Sequence, residues 1–280
     1  MEVFEKITKK KEFSQLPKKD IVLALERFNV EKYSDEEKVK LTRSLLRKIF
    51  SSFTSRKLLS KKIKKSKSFS SFKKNTKRNK DEEWFLKKHL STRERLPHYK
   101  RIYSRIFKNM DKDLSVIDLG AGINGFSYNY FKKVGFNVNY IAIEAMGQFV
   151  SIMNTYFENK KLNKSNQAKA IHLSLFEIQE IKKIIKKMRE PRIIFLLKTV
   201  DSIEMLKRDY SKELILRISP LCDKFVISFP TRSMIKRRKF KVKRNWIINF
   251  IEEKFEILDV FEIGDEKYIV FKNRKFQKHL

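Results

Sequence analysis

The 280-residue chain has a single cysteine, Cys222, so no disulfide can form within it, and it has no C-x-x-C pair to hold zinc or an iron–sulfur cluster. Its four histidines, His89, His98, His172 and His279, are scattered, which argues against a metal site. Six glycines and five prolines fall far below the roughly 25% that marks a low-complexity chain. With 41% hydrophobic residues, 24 phenylalanines among them, a core can be filled. No apolar run approaches the ~18 residues needed to cross a bilayer; Ile193 to Leu197 is among the longest. Met1 to Glu5 lacks the layout of a secretory signal, so a cytoplasmic protein of a reducing compartment is expected, with no membrane partner. Acids are scarce as well. Sixty-six Lys+Arg against 33 Asp+Glu leave a net charge of +33, which an enzyme of small metabolites does not need and a polyphosphate surface rewards. Nucleic acid is therefore the first partner to consider.

From Lys18 to Phe50 apolar residues recur at three- and four-residue steps, which predicts two amphipathic helices, the second opened by a capping box at Ser34-Asp35-Glu36-Glu37. Residues 51–80 carry twelve Lys/Arg, eight Ser and no acid. Such a stretch reads as a solvated, mobile basic segment that could also lie along a nucleic-acid backbone. Two more helices are expected, from Asp81 to His89 and from Thr92 to Phe107. Past that point short apolar runs alternate with amphipathic segments, such as Ile203 to Ile218, and two adjacent strands follow at the end. This pattern predicts an α/β domain over 108–280, doubly wound on a mostly parallel, seven-stranded, Rossmann-like sheet, behind a helical N-terminal domain over 1–107. Such a sheet takes its ligand at the carboxyl ends of the strands.

The sharpest local signal is Val116-Ile117-Asp118-Leu119-Gly120-Ala121-Gly122-Ile123-Asn124-Gly125, a strand running through a Gly-rich turn. It satisfies G-x-G-x-x-G, and Glu144 at the end of the second strand supplies an acid for ribose hydroxyls. A dinucleotide and S-adenosylmethionine (SAM) share this layout. Asp118 at the strand tip disfavours a pyrophosphate and suits the ammonium of a methionine moiety. The D-x-G-x-G order resembles the first motif of the class I SAM-dependent methyltransferases.

A narrower resemblance covers residues 85 to the end. His89 to Leu96, Phe195 to Thr199, Val226 to Met234 and Trp246 to Phe261 resemble, in order, blocks of the aminoglycoside-resistance 16S rRNA (guanine(1405)-N(7))-methyltransferases. The resemblance implies a class I methyltransferase core with SAM as cofactor. It implies cofactor contacts from Arg95, Asp118, Gly120, Ala121, Gly122 and Glu144, with adenine held by Ser174, Leu175 and Phe176. Arg95 would reach the SAM carboxylate; the plainer alternative is a surface arginine paired with Glu94 or Asp111. Phe176 fits a core residue equally well. Lys198, Thr199 and Phe229 would border the methyl-transfer pocket. The chain departs from the family in carrying Glu144 where Asp is common and in continuing its Gly-rich loop with Asn124-Gly125.

The implied substrate is a guanine of 16S rRNA in the 30S subunit, methylated at N7 by a monomeric enzyme. The N7 lone pair lies in the ring plane, so no general base is required. Candidate RNA contacts are Arg232, Lys236, Arg237, Arg238 and Lys239 in a loop after the fifth strand, and Lys61, Lys62, Lys64 and Lys65 in the basic segment, with Phe229 and Trp246 as stacking surfaces. Three other readings stay open: a methyltransferase of another RNA or atom, a non-catalytic basic RNA-binding protein on the same core, and a dinucleotide oxidoreductase.

Overall fold

A computed structural model describes residues 2–51, 54, 78–162, 167–232 and 244–274. The helices begin with α1 (Val3–Thr8), α2 (Lys18–Glu26) and α3 (Asp35–Leu46), the last running into a π turn over Arg47–Ser51. The helix α4 (Arg78–Leu86), α5 (Leu90–Arg95), a 3-10 turn over Leu96–His98 and α6 (Tyr99–Ile106) follow. The sheet is laid down by β1 (Asp113–Leu119), β2 (Asn137–Glu144), β3 (Ala168–His172), β4 (Arg192–Leu197), β5 (Lys224–Pro230), β6 (Phe255–Ile263) and β7 (Glu266–Asn273). Between strands run α7 (Asn129–Lys133), α8 (Gly147–Asn159), α9 (Ile178–Lys186), α10 (Val200–Leu206), α11 (Tyr210–Ile218) and α12 (Asn245–Lys254).

The seven strands lie in the order β3-β2-β1-β4-β5-β7-β6. Strands β1 to β5 are parallel and β7 runs antiparallel to both neighbours. The order reverses at β1, which puts a crevice outside the carboxyl ends of β1 and β4. This is the expected class I methyltransferase architecture. Val116, Ile117, Ile193, Ile194 and Phe195 are all fully buried, because helices cover both faces of a parallel sheet and its strands need apolar side chains on each. Helix α9 shows the complementary pattern: Ile178, Ile181 and Ile185 face inward while Lys182, Lys183 and Lys186 do not, each buried isoleucine contributing about 1.5–3 kcal/mol.

The N-terminal helices share their core with the sheet. Ile7, Phe13, Ile21 and Leu46 belong to the same buried cluster as the strand residues. Polar ties reinforce the contact. The Gly147 amide donates to the Gln15 carbonyl, the Arg27 guanidinium to the Met205 carbonyl, and Lys19 pairs with Glu177.

Some expectations need correcting. The helix expected over Thr92 to Phe107 is broken at Pro97, which starts a 3-10 turn between α5 and α6. The helix expected over Ile203 to Ile218 is two helices, since Asp209 adopts φ +60 and the Glu204 carboxylate accepts the Asp209 and Ser211 amides there. Helix α1 was not expected at all. The capping box is present: the Glu37 amide donates to Ser34 Oγ, and the Ser34 amide to Glu37 Oε2. Most of the basic segment 51–80 lies outside the described residues.

Candidate active site

The crevice at the β1/β4 switch point is a cavity of about 300 Å³, within the size range of small-molecule sites. Its wall contains Arg95, Asp118, Gly120, Ala121, Gly122, Glu144, Leu175, Phe176, Lys198 and Thr199, ten of the residues expected there. Ser174 is fully buried behind this wall, its hydroxyl accepting the Phe176 amide. Phe229 is not on the wall; Pro230 takes its place. On β5, successive side chains alternate faces, so Phe229 sits under the Arg244 guanidinium, 5.3 Å from its ring centre, instead of beside the cavity.

The Gly-rich turn is held open by its own geometry. Gly120 has φ +68 and Gly122 φ +56, and a Cβ on Gly120 would lie 2.6 Å from Thr199 Cγ2. Gly125 serves packing, since a Cβ there would strike the Phe157 ring at 2.8 Å. Asp118 is 1% exposed at the tip of β1. Its Oδ2 accepts from Asn124 Nδ2 and from the Tyr140 hydroxyl, both at 2.8 Å, and Oδ1 accepts no bond among the described residues. Asn124 is itself fixed by the Tyr99 hydroxyl, which donates to its Oδ1 at 2.8 Å. Burial raises the Asp118 carboxyl, with the Asn124 and Tyr140 bonds and Arg95 opposing. Glu144 ties the turn to β2: its Oε2 accepts the Gly122 amide at 2.7 Å and its Oε1 the Met146 amide at 2.8 Å. Burial pushes this carboxyl up to about 7 against those two bonds.

Arg95 is neither free nor paired with Glu94 or Asp111. It is 4% exposed and grips Glu266, Nε lying 2.9 and 3.1 Å from the two carboxylate oxygens and Nη2 2.8 Å from Oε1, which leaves Nη1 without a bond among the described residues. Lys198 joins the cluster, 3.2 Å from Glu266 and 2.7 Å from Glu94. Burial alone would raise the Glu266 carboxyl, but Arg95 and Lys198 hold it below its ordinary value. The Ser228 hydroxyl also donates to Glu266. Lys198 has φ +57, a conformation that costs a non-glycine residue roughly 1–3 kcal/mol and is held here by bonds from its amide to the Ser228 carbonyl and hydroxyl. His89, on the same wall, is pushed down to about 3 by burial and by the charges of Arg95 and Lys198, so its ring is neutral; Nδ1 bonds the Ser91 hydroxyl.

Of the RNA candidates, Arg232 is half exposed and pairs with Asp265 at 3.4 Å. Lys236, Arg237, Arg238, Lys239, Lys61, Lys62, Lys64 and Lys65 lie outside the described residues. Trp246 on α12 is 37% exposed with Lys212 over its ring. No group of His, Cys, Asp or Glu among the described residues could hold a metal ion, and no described helix is long and apolar enough to cross a membrane.

Residues 82–258 match the family model of the FmrO ribosomal RNA methyltransferases. The chain belongs to this family. As an FmrO-family chain it is 26% identical over 153 residues to a 16S rRNA (guanine(1405)-N(7))-methyltransferase of Micromonospora echinospora, a match covering 54% of this chain and 50% of that protein. It thus spans about half the length of that curated relative. Over nearly its whole length the FmrO-family chain shares the fold of solved structures: the 16S rRNA methylase RmtB (TM-score 0.70, 16% identity, 97% of each chain) and RmtF in complex with S-adenosyl-L-homocysteine (0.72, 18%, 97% of each chain). An rRNA methylase from Escherichia coli is similar to the same degree (0.70, 18%, 97% of this chain and 98% of that one).

Sequence reasoning missed three features of the FmrO-family site. Glu266, 171 residues from its partner Arg95, carries no local motif. Asn124 looked like a mere departure in the loop, yet it orients Asp118. Asp20, Ile49 and Phe50 reach the wall from the N-terminal helices through tertiary packing alone.

Proposed function

We propose that the protein transfers a methyl group from SAM to N7 of a guanine in 16S rRNA, in the manner of the aminoglycoside-resistance enzymes. The observation that carries this reading is the convergence, in one cavity at the strand carboxyl ends, of a strand-tip carboxylate with an open oxygen, two glycines with positive φ and a second carboxylate on the next strand. The donors and acceptors present fit SAM. Asp118 Oδ1 is an open acceptor for an ammonium, and Arg95 Nη1 an open donor for a carboxylate. Glu144 has lone pairs left for hydroxyls, and Leu175 and Phe176 offer an apolar slot for a flat ring.

The cofactor supplies, when bound, a methyl group on a positively charged sulfur, an electrophile that an in-plane nitrogen lone pair attacks without losing a proton. The chain's own residues then have no proton to remove, and the neutral His89 on the cavity wall agrees with that division of labour. Their work is orientation. The Tyr99–Asn124–Asp118 chain and the Arg95–Glu266–Lys198 cluster fix the polar ends of the pocket, and preset geometry of this kind lowers the barrier by sparing the entropy of alignment.

The rest of the reading concerns the partner. Residues 1–107 and the basic loop after β5 grip RNA, the intact 30S subunit is the substrate, and the enzyme acts as a monomer in the cytoplasm. The net charge of +33 supports an RNA backbone as partner. The test is incubation with methyl-labelled SAM and purified 30S subunits, then chemical cleavage at N7-methylguanine. Label with a single cleavage in 16S rRNA is expected. Label confined to protein or to another RNA would overturn the assignment.

A further inference from the structure

Among the described residues Asp20 has the one carboxylate oxygen that is buried without a hydrogen-bond partner. It sits on α2, well outside the segment that matches the family model, yet it lies on the wall of the cavity and is 2% exposed. Its Oδ2 is buried and has no hydrogen-bond partner. The carboxyl shares a hydrogen bond with the Ser174 hydroxyl and makes no ion pair among the described residues; its neighbour Lys19 is turned to Glu177 at 3.5 Å. A buried acceptor left without a donor is costly, and for a residue on a cavity wall a bound ligand can supply the donor.

The position of Asp20 indicates which donor. Asp118, Glu144 and Asp20 all lie on the wall of this one cavity, and the charges of Asp20 and Asp118 both bear on Glu144. The same wall carries Ala145, Leu175 and Phe176, an apolar slot that suits a purine, and Ser174, the partner of Asp20, directly precedes Leu175 and accepts the Phe176 amide. The outer edge of an adenine carries an exocyclic amino group, a donor of two hydrogens and so the complement of an orphaned carboxyl oxygen. Resting on the function proposed above, we infer that Asp20 reads the 6-amino group of the cofactor's adenine, and that the N-terminal helices thereby complete the cofactor pocket and select adenine over other purines.

The experiment is calorimetry on the full chain, without RNA, using S-adenosyl-L-homocysteine and its analogue in which the 6-amino group is replaced by hydrogen. The native protein should prefer the amino compound by about tenfold to a hundredfold, the range for one hydrogen bond to a charged group. Asp20→Ala should bind both compounds alike, at the weaker affinity. Asp20→Asn keeps the shape and one acceptor oxygen, and guards against an alanine variant that fails to fold; its preference should fall as well, with thermal melting run alongside. A preference that survives both substitutions, or an equal loss for both compounds, overturns the role of Asp20. If the native protein binds neither compound, the proposed function itself fails, which is a different result.

Discussion

Replacing Glu266 with glutamine would keep the side chain's shape and remove its charge, leaving the buried Arg95 guanidinium without a carboxylate. Lys198 would keep Glu94 at 2.7 Å, but Arg95 has no second acidic partner within bonding distance among the described residues. Breaking a buried pair in this way costs about 3–5 kcal/mol. The amide oxygen can still accept one of the three Arg95 bonds, so a loss of about 3 kcal/mol is expected. At roughly 2–4 °C per kcal/mol for a chain of this size, the melting temperature should fall by about 6–12 °C at pH 7. The acid behaviour sharpens the test. Arg95 and Lys198 hold the folded Glu266 carboxyl below its ordinary value of 4.5, so its contribution is complete above that value and is lost as pH falls through the lower folded one. The gap between native and variant melting curves, followed by circular dichroism, should therefore narrow in acid. A second variant, Arg95→Met with Glu266→Met, should recover much of the stability but bind S-adenosyl-L-homocysteine weakly. A fall below 2 °C for the single variant at pH 7, or a gap that widens on acidification, would refute the reasoning.

Three further outcomes are expected. Gly120→Ala combines a positive φ with a 2.6 Å approach to Thr199 Cγ2 and should cost about 1–3 kcal/mol in urea unfolding; adding Thr199→Ser removes that methyl but leaves Oγ1 at 2.9 Å, and should recover only part of the steric cost. Glu144 is raised in the folded state from 4.5 to about 7, so its contribution is fully present below 4.5 and is lost as pH rises through 7; Glu144→Gln should remove up to about 3 kcal/mol of that pH dependence, read from denaturation at pH 5 and pH 8. RNA affinity, measured by filter binding across a salt series, should fall with a log–log slope of about −0.7 to −0.9 per phosphate neutralised, and a flat response would exclude a backbone clamp.

What the sequence made legible follows from how local each feature is. Strands β1 to β5 are legible as short apolar runs such as Ile193 to Leu197, which falls inside β4, because strands covered on both faces need unbroken apolar runs and turns bound them. The Gly-rich turn and Glu144 were readable for the same reason, their chemistry being packed into short contiguous stretches. The break at Asp209 was invisible: neither glycine nor proline marks it, and a glutamate five residues upstream holds the turn. Glu266 and Asp20 escaped because an acid earns its role only from what folding brings beside it, and each meets a partner more than a hundred residues away.

The shared interior of the N-terminal helices and the sheet has a consequence for how this protein can change. Were the helices a separable RNA-gripping attachment, they could be exchanged for another set to redirect the enzyme. Here they furnish Asp20, Ile49 and Phe50 to the cavity and Ile7, Phe13 and Leu46 to the common interior. Any graft at the amino end would disturb the cavity itself, so under the proposed function a new target is more readily reached by altering the basic residues that follow β5 in sequence than by swapping modules.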